Sequence, residues 1–148
     1  MPNSTLLVDA PVSARPKGAT VAGILLVAVV LAALVDTAIA ALGHAAGAST
    51  EFQPLKAPAF VSFTLFGILI GAAGWAIVRR RSADPRALLR RLVPTVLALS
   101  FIPDLAMLVS SYLPHSNTAG VIALLAMHVT VATIAVTAYS RALPIRQS

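Results

Sequence analysis

The chain has 148 residues, of which 58% are hydrophobic and 11% are charged, and its mean hydropathy is +0.89. Charged residues make up about a quarter of an ordinary soluble domain, so this composition excludes that class and indicates an integral membrane protein. The absence of cysteine excludes disulfides, thiolate metal sites and cysteine nucleophiles. The net charge of +6 comes from basic residues at the ends of apolar runs, which predicts contact with lipid headgroups and no binding of nucleic acid.

The first predicted elements are a polar tail and an apolar run. Residues 1–18 contain three prolines and no periodic pattern, so we expect a disordered cytoplasmic tail. Residues 19–42 are long enough for a helix that crosses the hydrocarbon core of a membrane, and Asp36 is the charged residue that interrupts them. The face that carries Asp36 holds mostly small residues and the opposite face mostly large aliphatic ones, which predicts that Asp36 points into the protein.

An alternative interpretation makes this first run a cleaved signal peptide. Arg15 and Lys17 would form its basic region, residues 23–35 its apolar region and residues 38–40 its cleavage site. The apolar character continues beyond that site, and the two faces of the helix are typical of a retained span. We therefore predict that the run stays in the protein as its first membrane-spanning helix.

The second predicted span, residues 58–78, follows a polar connecting loop. It carries phenylalanines near one end and Trp75 near the other, which is the pattern of the two membrane interfaces. Gly67, Gly71 and Gly74 give this helix a smooth face. Such spacing permits two helices to approach closely in a membrane. The motif therefore allows a homo-oligomer in which two copies of this chain pack through these glycines.

The most charged segment joins the second span to the third. It holds six arginines, for which anionic lipid headgroups are the expected partners. They are Arg79, Arg80, Arg81, Arg86, Arg90 and Arg91. The third predicted span covers residues 92–113 and has Pro103 in its interior, where proline removes a helical hydrogen bond. A tight turn leads to the fourth span, residues 119–138, and residues 141–148 form a short basic tail.

The distribution of basic residues predicts the topology. Ten of the eleven lie before the first span, between the second and third, or after the fourth, and only Lys56 lies on the other side. The positive-inside rule then predicts that both termini and the arginine segment lie in the cytoplasm. Arginine outnumbers lysine nine to two and alanine is abundant, which hints at a GC-rich bacterial genome, so the expected location is a bacterial plasma membrane. We predict an all-α, integral membrane, four-helix antiparallel bundle in which residues 19–140 form the membrane domain.

Three ionisable residues are predicted to lie at one depth in this bundle. Asp36 falls six residues from the outer end of its span, and Asp104 and His128 each fall nine, which is roughly 9 to 14 Å by helical rise. Ser100 and Ser111 share the helical face of Asp104. A charge inside a membrane is costly and normally faces protein or water. We therefore predict one polar site formed by these five residues.

The chemistry of this site leaves several functions open. Two nearby carboxylates cannot both ionise cheaply, so one is expected to hold a proton unless His128 is charged. The site suits binding or movement of a proton, a cation or a small lipophilic ligand. With the same three ionisable residues as catalytic candidates, it also suits a membrane-embedded isomerase, cyclase or hydrolase. The remaining alternative is a structural polar network in an accessory subunit. No cofactor or metal motif is predicted.

The chain also resembles an uncharacterised actinobacterial family of small four-helix membrane proteins that contain a domain of unknown function. Residues 35–47 (VDTAIAALGHAAG), Ile102-Pro103-Asp104 and Met127-His128-Val129 carry the resemblance. It implies a four-span fold and a retained first span over roughly residues 20 to 140. It implies no activity, so the ligand or substrate is not predicted.

Overall fold

The computed structural model describes residues 18–110 and 113–145, which form four long helices. The helices are α1 (Gly18–Ala45), α2 (Ala57–Arg81), α3 (Pro85–Val109) and α4 (Thr118–Ala142), and a short 3₁₀ helix (Gln53–Leu55) lies between α1 and α2. Each of the four is long and apolar enough to cross a membrane. The predicted all-α four-helix fold is therefore confirmed. Residues 1–17 of the predicted N-terminal tail and 146–148 of the C-terminal tail lie outside the described residues.

The two predicted faces of α1 are both confirmed. Its buried residues recur every three or four positions, the spacing that places side chains on one side of a helix. They are Ala28, Ala32, Asp36, Ala40 and Gly43. The large aliphatic side chains of the opposite face are exposed, as expected for a helix that meets lipid on that side. They include Leu26, Val27, Val30, Leu31, Leu34 and Leu42.

The helix α4 occupies the centre of the arrangement. It packs against α1 most extensively and also contacts α3 and α2, whereas α1 and α3 make little or no direct contact. The helix α4 accordingly buries more residues than any other helix, and α3 buries only Leu89 and Asp104. Polar groups on α1 and on α3 therefore face α4 from different sides.

The arginine-rich segment is mostly helical. α2 continues through Arg81 and α3 begins at Pro85, so residues 82–84 alone connect them. The backbone N–H of Ala87 donates to Asp84 Oδ1 at 3.0 Å, which caps α3. Pro85 occupies the first turn, where its missing N–H removes no helical hydrogen bond. We call this end of the bundle, with residues 79–91 and 143–145, the arginine end.

The opposite end of the bundle, formed by residues 46–56 and 113–117, is called the loop end. Its connecting loop folds back over the helices and buries Phe52 completely. A Cβ atom on Gly120 would lie 2.9 Å from the Phe52 ring, so the ring and α4 are in close contact. Asn117 closes this end, since its Oδ1 accepts from Gly120 N at 2.9 Å and its Nδ2 donates to Gly47 O at 2.7 Å.

Toward the arginine end, α2 and α4 are joined by Trp75 and Tyr139. Their ring centroids are 5.6 Å apart, and Trp75 Nε1 donates to Leu143 O at 3.1 Å. The Tyr139 hydroxyl donates to Ile68 O at 2.6 Å, and it lies over Gly71. The smooth surface of Gly71 is thus filled from within the chain. The predicted association of two copies through the glycine motif stays a prediction.

Replacing Gly71 with alanine should therefore destabilise the bundle. The new Cβ would lie 2.5 Å from the Tyr139 hydroxyl, so the buried ring must move and its hydrogen bond to Ile68 is weakened. We expect a loss of about 1–3 kcal/mol in the free energy of unfolding, measured by titration of micellar protein with a denaturing detergent.

Gly67 provides the matched control, because a Cβ there has no atom within 4 Å among the described residues. Gly67→Ala should leave stability unchanged or raise it by up to about 1 kcal/mol, since alanine is the better helix former. Equal losses in the two variants would contradict the assigned contact.

Candidate functional site

Asp36 lies in the middle of α1 and is 1% exposed. The Thr64 hydroxyl on α2 donates a hydrogen bond to Asp36 Oδ2 at 2.7 Å. Asp36 Oδ1 is buried and has no hydrogen-bond partner within the described residues. A buried carboxylate normally satisfies both oxygens, because an unpaired polar atom costs free energy away from water. One carboxyl oxygen of Asp36 is therefore hydrogen-bonded and the other is not.

Thr64 was not among the predicted site residues. A signal for it existed, because Thr64 lies seven residues after the start of α2 and Asp36 nine before the end of α1. The two residues are thus at similar depth in neighbouring antiparallel helices. Depth alone was ambiguous, since the helices contain many threonines and serines. Most of these donate back to their own helix, as Thr37, Thr130 and Thr133 do.

Asp104 and His128 form the second polar pair. Asp104 Oδ2 lies 3.0 Å from His128 Nδ1, and Asp104 is 4% exposed. His128 Nδ1 also lies 2.9 Å from Leu124 O in its own helix. Nδ1 carries at most one hydrogen and cannot donate fully to both oxygens, and Asp104 Oδ2 has no other hydrogen-bond partner in the described part of the chain. One ring nitrogen therefore has two competing oxygen neighbours.

The His128 ring is held at the edge of the bundle. Phe101, one turn before Asp104 on α3, meets it edge to face with ring centroids 6.3 Å apart and an interplanar angle of 82°. The His128 side chain is 37% exposed, whereas the Asp104 side chain is only 6% exposed. His128 is therefore the member of the pair that can be reached from outside the bundle.

The two pairs lie at nearly the same level along the bundle. Gly43 of α1 packs against Ala123 of α4, and from that contact Asp36 is seven residues along α1 and His128 five along α4. The two helices run in opposite directions, so the axial offset is about 3 Å. Asp36 and His128 therefore lie at nearly one level on two helices that pack against each other. The structure thus brings Asp104 to His128 between α3 and α4, and Asp36 to Thr64 between α1 and α2.

The predicted serines are not part of either pair. The Ser100 hydroxyl donates to Leu97 O of its own helix at 2.7 Å. Ser111 lies outside the described residues. A functional role for the five predicted residues stays a prediction.

Two cavities occur away from these polar pairs. One of about 730 Å³ lies between α1 and α4 at the loop end and is mostly apolar. Another of about 380 Å³ lies beside residues 107–110 and 113–116. Neither is lined by Asp36, Asp104 or His128. The described residues also contain no group of three or more histidine, aspartate or glutamate side chains that could hold a metal ion.

The predicted headgroup-binding arginines lie at one end of the bundle. Five of the six are exposed, and the sixth, Arg79, donates through Nη1 to Pro144 O at 3.4 Å. This surface is strongly basic, and its contact with anionic lipid stays a prediction.

Comparison with known proteins supports the prediction that the chain belongs to a family of unknown function. No curated protein and no solved structure matches the chain. A family model does match, over residues 16–144, and those residues include all four helices and both polar pairs. The chain therefore belongs to DUF6069, a family of unknown function.

Proposed function

We propose that this multi-pass membrane protein binds and exchanges a proton at the Asp104–His128 pair. The observation that supports the proposal most strongly is the position of Asp104 Oδ2. This oxygen is buried and lies 3.0 Å from His128 Nδ1, and it has no other hydrogen-bond partner in the described part of the chain. A proton bound between the two side chains would satisfy it.

The physical reason is the cost of charge in a membrane. An ionised Asp104 beside a neutral His128 would leave a buried charge uncompensated, which is expensive in a low-dielectric interior. Uptake of one proton gives either an ion pair or two neutral groups joined by a hydrogen bond, and both states are cheaper. The proton then has two nearby positions, one on His128 Nδ1 and one on Asp104 Oδ2, because these atoms lie 3.0 Å apart.

The same geometry favours a proton over the other predicted ligands. A lipophilic molecule needs a pocket, and the two cavities described above are lined by other residues. A hard cation takes about six or more oxygen ligands, whereas within the described residues the oxygens that contact His128 Nδ1 are those of Asp104 and Leu124. A proton needs only the two facing atoms. The half-exposed His128 supplies a route for its exchange.

The sidedness of the protein is part of the proposal. Ten of the eleven basic residues lie on the side of the arginine end or in the tails, which supports a cytoplasmic location for both termini. The exposed arginines would then contact anionic headgroups of the cytoplasmic leaflet. We also propose that the protein comes from an actinobacterium and lies in the plasma membrane.

Infrared difference spectroscopy of the protein in lipid vesicles tests the function. Acidification should produce the carbonyl band of a protonated carboxyl group, or a matching change in the imidazole bands. Asp104→Asn should abolish the change assigned to this pair and His128→Gln should shift it. Asp84→Asn is the control, because Asp84 is an exposed cap at the arginine end. Identical spectra in Asp104→Asn and the unchanged protein would overturn the proposal.

A further inference from the structure

The Asp36–Thr64 pair differs from the other hydroxyl contacts of the bundle. Threonine and serine hydroxyls within membrane helices commonly bond to a carbonyl one turn earlier, as Thr130 does with Ala126 at 2.9 Å. The Thr64 hydroxyl instead crosses from α2 to α1 and donates to a carboxyl oxygen that is almost completely buried. The Thr64 hydroxyl therefore bonds to a side chain of another helix, whereas the Thr130 hydroxyl bonds to the backbone of its own helix.

We propose that Asp36 and Thr64 form a second proton-binding site, in which the proton is carried on Asp36 Oδ1 and Thr64 orients the carboxyl group. The inference extends the proposed proton-binding function from α3 and α4 to α1 and α2. Thr64 acts here as a positioning residue, since it holds Oδ2 and so fixes the direction of Oδ1. The ligand of this site is a proton alone.

The first argument is the unpartnered oxygen. Asp36 is 1% exposed, and its Oδ1 has no hydrogen-bond donor within the described residues. An ionised carboxylate with one unsolvated oxygen in this position would cost several kcal/mol. A proton on Oδ1 removes the charge and leaves Oδ2 as a carbonyl oxygen that accepts from Thr64.

The second argument concerns the groups that face Asp36. On α4 the titratable residue at nearly the same level is His128, and its partner is Asp104 of α3. From α2 it faces Thr64, which does not titrate in this range. The nearest other titratable group on α2 or α4 is the Tyr139 hydroxyl, which is already bonded to Ile68 O. Within the described residues, no arginine or lysine side chain forms an ion pair with Asp36.

The arrangement places one proton site between α3 and α4 and the other between α1 and α2. A positive His128 would favour a negative Asp36, whereas a neutral His128 would favour a protonated one, because opposite charges attract at short range. Proton binding at one pair therefore changes proton binding at the other. The Asp36–Thr64 pair is buried, so its proposed role is to store a proton. The Asp104–His128 pair is the one that exchanges a proton.

The experiment follows the Asp36 carbonyl band in infrared spectra of the protein in lipid vesicles. ¹³C labelling of aspartate carboxyl groups identifies aspartate bands, and Asp36→Asn identifies the one from Asp36. Thr64→Val keeps the shape of the side chain and removes the hydroxyl, so we expect the Asp36 band to move to higher frequency as its carbonyl loses a hydrogen bond. Thr64→Ser should restore the original frequency.

Thr130→Val is the matched control, because it removes a hydroxyl that bonds only to its own helix among the described contacts. It should leave the Asp36 band in place. A labelled band that does not respond to Thr64→Val would overturn the inference, as would its absence at every pH. If Asp36→Asn does not fold, the comparison of Thr64→Val with Thr64→Ser still decides the outcome.

The two proposals fail separately. Loss of the Asp36 response with the Asp104–His128 response intact would remove the second site and leave the proposed function standing. The reverse result would remove the proposed exchange at Asp104 and leave an enclosed protonated Asp36.

Discussion

Replacing His128 with leucine should lower the free energy of unfolding by about 3 kcal/mol, the lower end of the range for breaking a buried ionic pair. Asp104 is 4% exposed and would lose its nearest polar neighbour, which lies at 3.0 Å. The lower end applies because the His128 side chain is 37% exposed, so the pair is only partly enclosed by the protein. Titration of micellar protein with a denaturing detergent measures the change.

The double variant Asp104→Leu/His128→Leu should recover most of this loss. Removing both polar groups leaves no unpaired atom, and apolar replacement of a buried pair is often neutral or stabilising. Thr130→Val is the control on the same helix and should change stability by less than about 1 kcal/mol. A double variant as unstable as His128→Leu would show that the histidine contributes by packing and that the two side chains are not energetically coupled.

Replacing Phe52 with alanine should lower the free energy of unfolding by about 3–5 kcal/mol, the range for deleting a large buried aromatic side chain. Phe52 is 0% exposed and lies in a cluster that joins the connecting loop to α1, α2 and α4. Its loss leaves a cavity against Gly120, and the loop end should open. The same denaturing titration measures the change, and proteolysis of the loop provides a second readout.

Phe63→Ala is the matched control for this prediction. Phe63 is the same residue type but is 75% exposed on α2, where lipid or detergent covers it. Its removal creates no internal cavity, so we expect a change of less than about 1 kcal/mol. Similar losses for the two phenylalanines would mean that Phe52 is not the residue that holds the loop end together.

The two polar pairs suggest why so apolar a chain retains charges in its centre. Each carboxyl group lies where a helix meets α4 or α2, and each keeps one oxygen without a donor in the described residues. A purely structural network would be expected to satisfy both oxygens, because a half-satisfied network is less stable than an apolar core. The unsatisfied atoms are the observation from which both proton-binding proposals are argued.

The sequence by itself determined the helices and the level of the polar residues. Long apolar runs select helices in a membrane, because a helix satisfies its own backbone hydrogen bonds. The rise per residue is constant, so counting along each span placed Asp104 and His128 at one depth, and the structure has them in contact. The small-residue face of α1 likewise predicted that Asp36 is buried, as it is.

The tertiary structure alone decided which side chains meet around the bundle. Depth gives a position along an axis but no direction around it, and the order of helices about α4 was not readable from spacing. That order set Asp36 against Thr64 and Asp104 against His128. It also brought Tyr139 onto Gly71, and it folded Phe52 from a connecting loop onto Gly120. These contacts depend on packing between segments distant in the chain, which local pattern and hydropathy do not encode.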